Sequence, residues 1–115
     1  MAHEAFAKTP TPPYYAVIFT SLKRDGDAGY AAMAARMAEL ARQQEGCLGA
    51  ESARNEDGFG VTISYFTSEA AILAWKNDAE HLLAQKLGKM EFYAHYEVRI
   101  ARVERAYSGP EGRES

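Results

Sequence analysis

The chain has 115 residues, 47% of them apolar and 25% charged, with thirteen basic against sixteen acidic side chains and a formal charge of −3. That length suits one hydrophobic core, and the composition is that of an ordinary folded domain rather than a disordered or fibrous one. No run of like charge or basic patch is present to neutralise phosphates, so nucleic acid is not an expected partner, and the apolar runs fall far short of the roughly 20 residues a membrane helix needs.

The segment Met1 to Pro13 carries His3, Glu4 and Lys8 and then Thr9-Pro10-Thr11-Pro12-Pro13. It reads as a flexible leader without the apolar stretch of a signal peptide, and a cytoplasmic location is expected by default. Tyr14 to Ser21 (YYAVIFTS) is dense in aromatic and β-branched residues and is predicted as the first strand, with Leu22 to Gly26 as a connector. From Asp27 to Glu45, Tyr30, Met33, Met37 and Leu40 recur at helical spacing, and Gly46 supplies the stop. Cys47 to Arg54 and Phe59 to Phe66 are predicted strands around the turn Asn55-Glu56-Asp57-Gly58. Cys47, the only cysteine, forms no internal disulfide and is expected to be a small buried hydrophobe.

Ser68 is a good N-cap for a second helix, in which Ile72, Trp75, Ala79, Leu82 and Leu83 form the apolar stripe before Gly88. Asn77-Asp78 inside it are weak helix formers, and a break is expected there. Tyr93 to Val103 is the last strand, with a disordered tail from Ser108 to Ser115. Alternation places Tyr93, His95, Glu97 and Arg99 on one side of that strand and Tyr96, Val98 and Ile100 on the other. Cross-strand charge pairing is the expected role of Glu97 and Arg99. His3, His81 and His95 are scattered, and no metal site is expected.

The resulting order, β-α-β-β-α-β, predicts an α+β domain of ferredoxin-like type over residues 14–107. Both sides of strands one and three are apolar. Two helices cover only one side of a four-stranded sheet, so a homodimer with sheets face to face is expected to cover the other.

The segment Ala74-Trp75-Lys76-Asn77-Asp78-Ala79-Glu80-His81-Leu82-Leu83-Ala84-Gln85, together with the closing run from Tyr93 to Tyr107, resembles the antibiotic biosynthesis monooxygenase superfamily of dimeric α+β barrels, in a subgroup with no settled reaction. The resemblance implies a pocket between the sheet and the second helix, and oxidation of a small aromatic or polyketide-like compound by O₂ with no cofactor. In the cofactor-free oxygenases a Trp on that helix is followed six residues later by a Tyr and preceded four residues earlier by an Asn. Here the Trp matches as Trp75, while His81 stands at the Tyr position and Ala71 at the Asn position. Trp75 as pocket wall and His81 as base are therefore the expected catalytic residues, and Tyr15, Val17, Tyr65, Phe66, His95 and Tyr96 the expected ligand contacts. Other relatives bind and degrade haem with an Asn on the first strand, which is missing between Tyr14 and Ser21. A non-catalytic small-ligand or haem-binding dimer is the alternative reading. A structural alternative also stands for each residue: Trp75 as a core anchor on its stripe, His81 as a surface or capping group. Six residues at about 100° each turn a continuous helix by about 240°, so Trp75 and His81 face one cavity only if the helix breaks between them.

Overall fold

The computed structural model describes residues 5–24, 30–86 and 93–110, and of residues 30, 31, 33 and 80–86 the backbone alone. The elements are β1 (Tyr14–Lys23), α1 (Tyr30–Gln43), β2 (Cys47–Arg54), β3 (Phe59–Phe66), α2 (Glu69–Lys86) and β4 (Tyr93–Val103). The strands form one antiparallel sheet in the order β2-β3-β1-β4. With α1 on β2 and α2 on β3 and α1, this is the ferredoxin-like α+β fold expected. Among the described residues no helix is long and apolar enough to cross a membrane.

β1 runs two residues past its predicted end, because Leu22 still pairs with Phe59 and the Lys23 N–H donates to Gly58 O at 2.9 Å. α1 closes two residues early. Its last turn tightens through Gln44 N–H to Ala41 O at 3.1 Å, and Gly46 then turns the chain at φ +96. A Cβ at Gly46 would lie 2.8 Å from the Ala71 Cβ, so glycine serves both the turn and the close approach of α2. The predicted helix start at Asp27, Gly26 of the connector, and Gly88 all lie outside the described residues, as does His3.

α2 begins as expected. Ser68 Oγ accepts the Ala71 N–H at 3.1 Å, the N-cap bond worth about 1 kcal/mol. The break expected at Asn77-Asp78 is not there: α2 is continuous through both residues. Asp78 disrupts a helix when its carboxylate bonds its own backbone. Here Asp78 Oδ2 instead accepts Gln44 Nε2 at 2.9 Å from the end of α1, so the side chain ties the two helices together and leaves the backbone ladder intact.

The sheet has two unlike sides. Register places Tyr15, Val17, Phe19 and Ser21 on the helix side with Phe66, Ser64 and Thr62 of β3 and Ile100, Val98 and Tyr96 of β4. Tyr14, Ala16, Ile18 and Leu22 point the other way with Tyr65, Ile63, Val61 and Phe59. The core is the helix-side cluster of Val17, Phe66 and Ile72, against which Tyr15, Cys47, Ala71 and Trp75 pack half-buried.

Candidate functional site

The core cluster is also the floor of the candidate site. Phe66, the last residue of β3, is wholly buried, and the Trp75 ring leans on it with centroids 6.1 Å apart and planes at 42°. Ile72 and Trp75 meet the sheet because they lie three apart on one face of α2. The Trp75 Nε1–H is buried and, among the described residues, meets no acceptor. A buried donor left unpaired costs about 1–3 kcal/mol, so it stands ready for an acceptor on a bound molecule.

Two residues further along β1, about 7 Å away, Phe19 gathers a second aromatic group. Its centroid lies 5.3 Å from Tyr93 and 5.5 Å from Tyr96, and those two rings are 6.2 Å apart. Tyr93 was expected beside His95 and Glu97. Instead the β1/β4 register shifts so that Leu22 faces His95 and Lys23 faces Tyr93, skipping Ala94. That bulge reverses the alternation and delivers Tyr93 to the helix side.

Arg54 closes this end. Its Nη2 donates to Ser21 Oγ at 2.8 Å, its Nη1 to the carbonyls of Ser21 and Gly58, and its guanidinium carbon stands 5.9 Å from the Tyr93 centroid. Gly60, directly opposite Arg54, makes room: a Cβ there would lie 2.9 Å from the Arg54 Cζ. Sequence reasoning missed Arg54 and Ser21. Gly60 inside the predicted third strand was the available signal, since a glycine within a strand marks a close approach.

At the Tyr15 end the helix side opens into a surface depression of about 400 Å³ lined by Tyr15, Glu69, Ile100, Ala101 and Arg102. Tyr15 belongs both to this depression and to the Trp75 cluster.

Of the predicted site residues, Tyr15, Val17, Phe66, Tyr96 and Trp75 share the helix side. Tyr65 and His95 do not join them, because each stands one residue out of phase with that side and points to the other. Tyr65 donates its hydroxyl to Glu51 Oε1 at 2.9 Å. Burial, and then the Glu51 carboxylate beside it, pushes its phenol up to about 12. His95 Nε2 lies 3.1 Å from Glu97 Oε2, and Arg99 Nη2 donates to Glu97 Oε1 at 3.1 Å. The hydrogen bond to His95, and then the Arg99 charge, hold the Glu97 carboxyl below its usual range. This pairing runs along β4 rather than across strands, because Glu97 faces Thr20 and Arg99 faces Ile18 on β1. His81 lies on α2, and its side chain is outside the described residues. With α2 unbroken, position 81 sits about 120° around the axis from position 75 by the shorter arc. Among the described residues no three His, Cys, Asp or Glu side chains gather as metal ligands.

Residues 13–87 match the family described as antibiotic biosynthesis monooxygenase. The uncharacterised protein YqjZ of Bacillus subtilis strain 168 is 50% identical over 99 residues, spanning 86% of this chain and 87% of that protein. Among solved structures, a protein from Shewanella oneidensis superposes with a TM-score of 0.66 at 18% identity, covering 88% of this chain and all 100% of that one. SnoaB, a cofactor-independent oxygenase from Streptomyces nogalater, superposes with a TM-score of 0.62 at 16% identity, covering 87% of this chain and 100% of that one. At such identities the likeness speaks for the fold alone.

Proposed function

The chain belongs to the antibiotic biosynthesis monooxygenase family, and from that premise we propose that it is a cofactor-independent oxygenase of a small aromatic or polyketide-like compound held between α2 and the helix side of the sheet. The observation that carries this reading is the buried Trp75 Nε1–H with no acceptor among the described residues. Phe19 and Tyr96 bring aromatic surface to the same side of the sheet for the rings of a flat ligand, and the indole N–H offers a bond to a phenol or carbonyl oxygen. The likeness in fold to SnoaB, itself a cofactor-independent oxygenase, adds weight.

In this reading the substrate supplies the electrons. Loss of a phenolic proton leaves an electron-rich anion that passes an electron to O₂, and the protein holds the ring, excludes water and donates a hydrogen bond to the oxygen where charge gathers. His81 was the expected base, but with α2 unbroken position 81 stands about 120° around the axis from Trp75, so no base is assigned and the substrate is taken up as its phenolate, its proton left in bulk water.

The working unit is proposed to be a homodimer formed through the helix-free side. There Ile18, Val61 and Ile63 are half-buried and Leu22 and Phe59 exposed, a patch that a two-fold partner would cover.

O₂ uptake with a panel of hydroquinones and anthrones tests the reaction. Turnover is expected in the native chain, with Trp75→Phe, which keeps the ring and loses the N–H, reduced about 10- to 100-fold, the worth of one hydrogen bond to a charged group. Turnover unchanged in Trp75→Phe removes the donor role, whereas turnover lost in a folded His81→Ala would restore His81 as the base. Trp75 is the only tryptophan, so its fluorescence reports binding directly. Quenching by ligand, or a Soret shift with haem, without any O₂ uptake would put a non-catalytic binding dimer in place of the oxygenase.

A further inference from the structure

The helix-free side of the sheet is dry at one end and wet at the other. Tyr14 and Ala16 point to it and are 5% and 4% exposed, whereas Leu22 and Phe59 at the far end are 40% and 53% exposed. Neither α1 nor α2 lies on this side. The leader does: the Ala7 N–H donates to Glu51 Oε2 at 2.9 Å, and a Cβ built on Gly49 would stand 3.4 Å from the Ala7 Cβ. Ala7, Thr9 and Pro12 are half-buried while Lys8, Pro10 and Thr11 between them are exposed, so the segment has an inner and an outer face. The Glu51 carboxylate that holds Ala7 also accepts the Tyr65 hydroxyl at 2.9 Å. Tyr65 in turn packs edge-on against Tyr14, centroids 5.8 Å apart and planes at 81°.

We infer that residues 5–13 form a strap, clipped to β2 by Glu51, that seals the Tyr14–Tyr65 end of the helix-free side and confines a second copy of the chain to the open end around Leu22 and Phe59. The second half of this statement rests on the homodimer proposed above; the first does not. A carboxylate accepting two hydrogen bonds, one oxygen from the leader backbone and the other from a β3 side chain, ties the leader and β3 to the same residue of β2. The charged, polar outer face of the strap replaces apolar sheet with Lys8 and Thr11. Bare, that end would extend the apolar patch and invite further copies.

The experiment compares the full chain, a chain lacking residues 1–10, and full-length Glu51→Ala by sedimentation velocity, and follows Tyr65 ionisation as the phenolate absorbance lost in the matching Tyr65→Phe variants. The expected result is a dimer for the full chain, concentration-dependent species larger than a dimer for the truncated chain, and a Tyr65 phenol that falls from about 12 toward its ordinary value of about 10 once the leader is gone. Unchanged mass and unchanged Tyr65 ionisation on truncation overturn the strap while leaving the dimer standing. A full chain that is monomeric at every concentration overturns the dimer and the confinement of a second copy; the seal is then decided by Tyr65 ionisation alone, supported if truncation lowers it and overturned if not. Should the truncated chain fail to fold, Glu51→Ala tests the strap by mass alone with the leader present but unfastened, species larger than a dimer supporting it and unchanged mass overturning it, since losing the carboxylate lowers Tyr65 ionisation whatever the leader does.

Discussion

β3 and β4 flank the same strand, pair antiparallel with it and alternate apolar with polar or aromatic residues, yet their fates differ. β3 buries Gly60, Ser64 and Phe66, while β4 has no fully buried residue along its eleven positions. The helix-side pairs make the contrast local: Val17 of β1 is 3% exposed and Val98, facing its neighbour Phe19 on the same side, is 49% exposed. The difference is position. α2 lies on β3 and α1 on β2, and β4 is a sheet edge on which neither helix packs as closely. Alternation therefore tells which side a residue faces, and the helices decide whether that side is dry.

The largest consequence falls on β3. Phe66→Ala empties the centre of the cluster that Val17, Ile72 and Trp75 build around it, and should cost about 3–5 kcal/mol, the transfer term plus the cavity. Urea denaturation measures it. A loss below about 1 kcal/mol would mean that the core lies elsewhere and that the contrast between the two strands is superficial.

The same contrast marks how far the fold was legible. Strand identity, the Asn55–Gly58 turn, the Ser68 cap and the Gly46 stop are local properties, each written in a residue type with one strong conformational preference. They came out close to where the structure has them. The bulge at Ala94 was not legible, because nothing in Tyr-Ala-His-Tyr marks which residue the ladder skips, and one skipped residue moved Tyr93 to the helix side. Asn77-Asp78 misled for a related reason: propensity treats Asp78 as a helix breaker, and its partner Gln44 is supplied only by the tertiary fold. In the candidate site, Trp75 with Tyr15, Val17, Phe66 and Tyr96 was recoverable from periodicity. Tyr65 and His95 were misplaced although alternation alone separates them from that group.

On its other side β3 offers a pH-dependent test. The neutral phenol of Tyr65 is its proton-bound form, held in the folded chain up to about 12 against about 10 in the unfolded chain. Between those values the folded state binds the extra proton, so the stability due to Tyr65 is complete below about pH 10 and is lost as pH rises toward 12. Discounted for its partial exposure, the contribution is on the order of 1 kcal/mol. Tyr65→Phe should lower the unfolding free energy read from urea titration at neutral pH by that amount and converge with the native chain above about pH 12. Parallel pH profiles for the two chains would show that neither burial nor the Glu51 contact holds the phenol.

The smallest effect belongs to β4 and bears hardest on the comparison. Val→Thr exchanges a methyl for a hydroxyl at nearly constant shape and keeps a β-branched residue suited to a strand. At Val17 the hydroxyl enters the core without a ready partner and should cost about 1–3 kcal/mol. At Val98, one strand over on the same side, water reaches the hydroxyl, and the change should stay within about 0.5 kcal/mol. Calorimetry or urea titration of the two variants reads the difference at fixed chemistry. If Val98→Thr costs as much as Val17→Thr, β4 is dry in solution, and its covering comes from something beyond the described residues of one chain. Repeating the titration over a range of concentration then identifies the cover: a cost that grows with chain concentration assigns it to a second copy, because only an association makes stability depend on how much protein is present.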